Sequence, residues 1–206
     1  MTSKSFFINT EKEYSAVYRI LHWGLAISFI LLLLTIFLRM TWLNRDNVAA
    51  IIKPFLAEKE IVIPQEELIT LAKQIRKPMW IWHTYLGYVI TFLFVIRLSL
   101  PFFGKMKFQN PFNKTISGKE RFQYLVYIIF YLCVSISLIT GLIIDLGPKD
   151  LRKEVESIHK LSIYYLGAYL IFHLGGVLIA EFTNQKGLIS KIISGGNSTN
   201  KNKEVL

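Results

Sequence analysis

The sequence predicts an all-α fold, an integral membrane four-helix up-down bundle. The chain of 206 residues is 52% hydrophobic and only 18% charged. Its mean hydropathy is +0.40, which is typical of a membrane protein. Four apolar runs each approach the length of about 20 residues that a helix needs to cross a bilayer. We expect transmembrane helices at about residues 18–40, 79–101, 122–145 and 158–181.

The connection at residues 41–78 is the longest one and lies between the first two predicted spans. Its second half has an acidic first turn, a basic end, and Leu68, Leu71 and Ile75 at helical spacing. We therefore expect a loop with one short amphipathic helix, which lies over the bundle mouth, contacts a partner, or only covers the bundle. The bundle domain is predicted to span residues 1–190. The polar residues 191–206 are predicted to be a disordered tail.

The net charge of +10 is carried by loops between the apolar runs. This placement is typical of membrane interfaces in contact with lipid, and it argues against a nucleic-acid partner. The N-terminus, the second loop and the C-terminus hold thirteen Lys and Arg residues, against eleven elsewhere. We therefore expect both termini to be cytoplasmic. The single cysteine, Cys133, excludes an intrachain disulfide, a Cys-ligated cluster and covalent haem attachment through paired cysteines.

All four histidines of the sequence lie within or at the edge of a predicted span. His159 and His173 are fourteen residues apart. In one helix they face the same side to within about 40° and lie about 21 Å apart along the axis. An up-down arrangement places His22 level with His173, and His83 level with His159. The pattern therefore predicts two histidine pairs at two depths.

Several kinds of site contain membrane histidines. One histidine alone is as readily a hydrogen-bonded side chain at the interface. A tetrahedral zinc site needs all its ligands at one depth, and a proton relay normally includes Asp or Glu, which the uncharged interiors of the spans lack. Two level pairs fit two haem b groups, each held by two axial imidazoles. Because both axial positions are then filled, the chemistry is outer-sphere electron transfer.

Three further residues are candidates for haem contacts. Gly87 lies one turn beyond His83, where a porphyrin could press against the helix, although close helix packing explains a glycine equally well. Arg19 lies one turn before His22, and Arg97 lies fourteen residues after His83. Both arginines could pair with haem propionates, or could simply anchor the helices at the interface.

These residues give the chain a recognisable pattern. It resembles the group of bacterial cytochrome b561 proteins and b-type cytochromes of nickel-iron hydrogenases, which includes the gamma subunits of respiratory formate dehydrogenases. The resemblance rests on Y-R-I-L-H-W around His22, W-I-W-H-T-Y-L-G-Y around His83 and the spacing of the histidines in the fourth span. It also includes T-G-L-I-I in the third span and K-G-L-I-S-K-I-I-S-G from Lys186. Residues 39–77 form a longer loop than is usual in the group.

The resemblance implies a two-haem cytochrome of the bacterial inner membrane that exchanges electrons with a quinone. The protein would be an electron-transfer oxidoreductase or a subunit of one, with an extracytoplasmic redox partner protein. The axial ligands carried over are His22, His83, His159 and His173. The quinone is expected near His173, Arg97 and His22.

A stand-alone superoxide:quinone oxidoreductase is the main alternative function. Lys73, Arg76 and Lys77 could steer an anion towards the bundle mouth, whereas Glu66 and Glu67 would oppose it. A haem-free transporter or scaffold is the third alternative.

Overall fold

The computed structural model describes residues 15–103, 110–183 and 186–195. Within these residues four segments are long and apolar enough to cross a membrane: Ala16–Met40, Lys77–Phe103, Gly118–Leu146 and Lys149–Phe182. The predicted all-α membrane fold is therefore confirmed. The α-helices are α1 (Ala16–Met40), α2 (Arg45–Glu58), α3 (Gln65–Ile75), α4 (Lys77–Ser99), α5 (Gly118–Leu146), α6 (Arg152–Lys160), α7 (Ser162–Phe182) and α8 (Leu188–Ser194).

The starts of the long helices are fixed by local sequence. The Ser15 hydroxyl accepts a hydrogen bond from the Tyr18 amide at 3.3 Å and caps α1. Ser117 and Glu120 form a reciprocal capping box at the start of α5, with hydrogen bonds of 3.2 and 2.9 Å. Pro78 lies in the first turn of α4, where no helical amide donor is needed.

The bundle is built from two pairs of spans, the first with the second and the third with the fourth. α1 packs mainly on α4, and α5 packs on α6 and α7, with a smaller contact between α4 and α5. A Cβ atom on Gly24 of α1 would lie 3.3 Å from Leu93 Cδ1 of α4, so this glycine allows the first pair to approach closely. Ile90 and Val134 are fully buried, whereas many large apolar side chains of the spans are exposed. Such an apolar exterior suits contact with lipid.

The fourth span differs from the single helix predicted at residues 158–181. It contains two consecutive helices, α6 and α7, which meet at Leu161. The Ser162 hydroxyl donates to the carbonyl of His159. The Leu161 and Tyr164 amides make short-range bonds to residues three positions earlier, both at 3.1 Å. Such bonds tighten a helix locally. His159 and His173 therefore belong to different helices.

The connection between the first two spans is a helical hairpin. The sequence predicts one short helix in residues 41–78, but the structure contains two, α2 and α3. Their shared core consists of Val48 and Ala49 from α2 and of Leu68 and Ala72 from α3. Pro54 lies inside α2 rather than ending it. A proline removes one helical donor and normally reads as a break, which is why the sequence did not predict α2.

Only one of the three apolar residues predicted to share a face of α3 is buried. Leu68 is 2% exposed, but Leu71 is 38% exposed and Ile75 also points away from the core. Ala72, which is fully buried, takes their place against α2. The small alanine lets the two helices approach closely.

Helix α8, the last helix among the described residues, is bonded to the end of α7 and to the start of α1. The Glu181 carboxylate accepts from the Gly187 and Ile189 amides at 2.8 and 3.0 Å and so caps the start of α8. At its other end, the Trp23 indole donates to Ile192 O and Arg19 Nη1 donates to Ile193 O, both at 3.2 Å. α8 runs past residue 190, where the sequence placed the end of the bundle domain. Residues 196–206 of the predicted disordered tail lie outside the described residues.

The hairpin core gives a first testable prediction. Leu68→Ala should destabilise the α2–α3 hairpin by roughly 2–5 kcal/mol, because it leaves a cavity at a buried leucine. Hydrogen exchange of the α2 and α3 amides in lipid nanodiscs should speed up, while the spans stay protected. Leu71→Ala on the exposed side of the same helix is the control. Equal exchange in both variants would show that α2 and α3 do not share this core.

Candidate functional site

The structure brings the four histidines together in two pairs. His22 of α1 faces His173 of α7, with ring centres 6.1 Å apart. His83 of α4 faces His159 of α6, with ring centres 6.4 Å apart. Within the described part of the chain, no three His, Cys, Asp or Glu side chains lie close enough to share one metal ion. The imidazoles therefore meet two at a time.

The distance between the ring centres of each pair can be compared with the distance between two imidazoles that bind one iron ion. An imidazole nitrogen lies about 2 Å from a first-row metal and about 1 Å from its own ring centre, so two imidazoles on opposite sides of one ion have centres about 6 Å apart. The observed 6.1 and 6.4 Å agree with this value. Each pair therefore fits axial ligation of one haem.

The hydrogen bonds of His83 identify the free nitrogen of its ring. The Thr35 hydroxyl donates its proton to Leu32 O at 2.6 Å. Its oxygen therefore accepts from His83 Nδ1–H, at 2.8 Å. This leaves Nε2 of His83 unprotonated and available to a metal, which is the usual arrangement of a histidine ligand with its outer hydrogen bond.

His159 is held in the same way. Its Nδ1 lies 3.0 Å from the Ser137 carbonyl oxygen and 3.2 Å from Thr140 Oγ1. A carbonyl oxygen only accepts, so Nδ1 of His159 must carry the proton and Nε2 is again free. A Cβ atom on Gly141 would lie 3.1 Å from His159 Cε1, so the glycine makes room for the ring.

Sequence reasoning did not single out these supporting residues. Thr35, Ser137, Thr140 and Gly141 lie inside apolar spans and belong to no histidine motif. A partial signal was present for two of them. Thr140 and Gly141 are the first residues of the T-G-L-I-I string on which the family resemblance partly rests.

The His22–His173 pair is supported by aromatic rings. Tyr18 stacks on His22 with ring centres 6.2 Å apart, and Tyr169 stacks on His173 at 5.5 Å. Phe130 of α5 stacks on Tyr169 at 3.5 Å. Among the described residues neither ring of this pair makes a hydrogen bond comparable to those of His83 and His159. The two pairs therefore have different surroundings.

The three other predicted contact residues are distributed as follows. The Arg19 Nε atom is buried without a hydrogen-bond partner, although Nη1 donates to Ile193 O. The Arg97 guanidinium lies 5.5 Å from the ring centre of Tyr131. A Cβ atom on Gly87 would meet nothing within 4 Å, so there is open space beside α4 one turn from His83. The unpartnered nitrogen and the open space leave room for a further group.

A basic pocket lies at the end of the bundle that contains His83. The Trp80 ring contacts His83 edge to face at 5.4 Å, and the Arg39 guanidinium lies 5.1 Å from the centre of the Trp80 ring. Partial burial lowers the pKa of the Arg76 guanidinium, and repulsion from nearby Arg39 adds to the shift. The pocket is lined by Thr70, Lys73, Gln74, Arg76, Lys77 and Trp80.

Comparison with known proteins identifies the family to which the chain belongs. The profile of the prokaryotic cytochrome b561 family matches residues 13–195, which include all four histidines. Comparison with curated proteins and with solved structures gives no match. Since the family match covers nearly the whole chain, this multi-pass bacterial membrane protein belongs to the prokaryotic cytochrome b561 family of b-type electron-transfer cytochromes.

Proposed function

We propose that the chain is a two-haem cytochrome that carries electrons across the inner membrane between a quinone pool and a redox partner. His22 and His173 would hold one haem b, and His83 and His159 would hold the other. The observation that carries this proposal is the spacing of the two pairs, 6.1 and 6.4 Å, which suits one iron in each.

Haem groups held by two imidazoles each would supply one-electron transfer, without binding oxygen or a substrate at the iron. The residues of the chain position these groups. Thr35 and the Ser137 carbonyl keep the protons of His83 and His159 on Nδ1, so that Nε2 of each ring would be free to bind the iron. His159 and His173 are fourteen positions apart, which corresponds to roughly 21 Å of helical rise along the fourth span, so the two sites lie at different depths. The electron therefore crosses the membrane in shorter steps.

The orientation of the protein assigns a role to each end. The distribution of Lys and Arg favours cytoplasmic termini, and in that orientation the His22–His173 pair would lie on the cytoplasmic side. By resemblance to hydrogenase and formate dehydrogenase cytochromes, quinone binds at this end, near His173, Arg97 and His22. An extracytoplasmic redox protein exchanges electrons at the His83–His159 end.

A second candidate function is superoxide:quinone oxidoreductase. Two superoxide ions would be oxidised to O₂ while one quinone takes up two electrons and two protons. The basic pocket of Lys73, Arg76 and Lys77 favours this activity, because it would steer an anion to Trp80 beside His83. Glu66 and Glu67 lie in the first turn of α3, whereas the pocket is lined by the end of that helix.

Removing single histidines tests the pairing. His22→Ala and His173→Ala should each lose the same haem, and His83→Ala and His159→Ala should each lose the other. The haem-to-protein ratio measured as the pyridine haemochrome should fall by half in every variant. His→Met at each position keeps a group that can bind iron and serves as the control for folding. Full haem occupancy in the alanine variants would exclude these ligands.

The hydrogen bond of His83 predicts a redox effect. Thr35→Val removes the acceptor of His83 Nδ1–H and makes the imidazole a weaker donor to ferric iron. The midpoint potential of that haem should rise by tens of millivolts, since a tenfold change in equilibrium is about 59 mV for one electron. Spectroscopic redox titration measures both haems. Thr91→Val is the matched control, because Thr91 donates only to Gly87 O in its own helix. Equal shifts of the midpoint potential in both variants would show that the hydrogen bond from His83 to Thr35 does not set the potential.

The basic pocket separates the two candidate functions. If superoxide is the donor, the combined change Lys73→Gln and Lys77→Gln should slow superoxide-dependent quinone reduction by roughly tenfold and flatten its dependence on ionic strength. Lys53→Gln, on an exposed lysine outside the pocket, should leave the rate unchanged. If the isolated wild-type chain does not reduce quinone with superoxide, a protein partner is the donor.

A further inference from the structure

Helix α2 is apolar on two sides, and only one of them is covered. Val48, Ala49, Ile52 and Leu56 pack against α3. At about 100° per residue, Ala50, Ile51, Pro54 and Phe55 lie on the remaining side. Ile51 is 73% exposed and Phe55 is 61% exposed. The side of a helix that faces water is normally polar. The exposed apolar side of α2 therefore indicates contact with another apolar surface.

The position of α2 indicates which surface its exposed apolar side contacts. Four residues separate the end of α1 from the start of α2, and such a linker reaches at most about 14 Å. α2 therefore begins close to the membrane surface. The linker contains Trp42, which is 76% exposed and shares an open groove with Asn47, Ala50 and Ile51. Tryptophan is enriched where a membrane meets water.

The exposed apolar surface is also continuous with the lipid-facing side of the first span. Phe37 and Met40 are exposed in the last turn of α1, directly before Trp42. Asn47 and Glu58 lie on the same side as Ile51 and Phe55, but in the first and last turns of α2. Lys53 lies between Ile51 and Phe55 in the sequence and on the opposite side of the helix, so in the middle of α2 the charge is separated from the apolar residues. This separation is typical of a helix that lies in the plane of the membrane interface.

Pro54 limits how deep the helix lies. Because proline has no amide proton, the carbonyl of Ala50 loses its helical partner. In the hydrocarbon core an unsatisfied carbonyl costs several kcal/mol. In the headgroup region, water satisfies it. The helix is therefore suited to the headgroup region and not to the core of the bilayer.

We propose that the outer face of α2, formed by Trp42, Ala50, Ile51, Pro54 and Phe55, binds the phospholipid headgroup region beside the bundle. This contact anchors the α2–α3 hairpin at the membrane surface. It thereby holds Lys73 and Arg76 at the mouth of the bundle, next to Trp80. The proposal does not depend on haem or quinone, because it concerns only the hairpin and the lipid.

Spin labelling of the full chain in phospholipid nanodiscs tests this contact. The single cysteine is first removed by Cys133→Ala. Nitroxide labels are then attached in the separate variants Ile51→Cys, Phe55→Cys and Lys53→Cys. The ratio of oxygen accessibility to accessibility of a water-soluble nickel chelate should be severalfold higher at positions 51 and 55 than at position 53. All three positions are exposed, and an unchanged haem spectrum verifies folding.

Two outcomes of the labelling experiment would overturn the proposal. Equal accessibility of all three labels to the nickel chelate would show that the face borders water. Labels at positions 51 and 55 that are shielded from both reagents would indicate contact with a second copy of the chain or with another protein. Quenching of Trp42 fluorescence by brominated lipid, obtained by difference from Trp42→Phe, provides a measurement without labels. Absence of that quenching would also contradict the lipid contact.

Discussion

The distance between paired imidazoles is the constraint on which the arrangement of the helices depends. Two rings on different helices must lie about 6 Å apart to share one metal, and this has to hold at two depths at once. α1 and α7 meet this requirement at one end of the bundle, and α4 and α6 meet it at the other. Any shift of one helix along its axis by a single residue, about 1.5 Å, would disturb a pair. The hydrogen bonds of α8 to Arg19 and Trp23 of α1 and to Glu181 of α7 connect the two helices that carry the His22–His173 pair.

The two ends of the bundle hold their histidines by different means. Near α2 and α3, hydroxyl and carbonyl oxygens accept from the Nδ1 atoms of His83 and His159. At the other end, Tyr18 and Tyr169 stack on His22 and His173. A hydrogen-bonded imidazole is a stronger donor to the metal than one that is only stacked. The difference in surroundings would therefore give the two proposed haem sites unequal potentials.

The break at Leu161 is part of the same arrangement. The Ser162 hydroxyl bonds to the carbonyl of His159, and a chain of hydroxyl groups connects it through Ser137 to Tyr165. Ser137 also supplies the carbonyl that holds His159 Nδ1. One residue of α5 thus stabilises both the histidine ring and the junction between α6 and α7. In a low-dielectric span, polar groups that satisfy one another in this way fix a single geometry.

The amino-acid sequence alone determined the features that follow from periodicity and hydrophobicity. The apolar runs predicted the all-α membrane fold, and the spacing of four histidines predicted which rings would be level. The sequence did not reveal α2, because Pro54 reads as a helix break, whereas packing against Leu68 and Ala72 stabilises the helix around it. Nor did it identify Thr35, Ser137 or Gly141 as neighbours of the histidines. Their roles depend on contacts between different spans, and such contacts leave no local pattern because any apolar helix tolerates a small or hydroxyl residue.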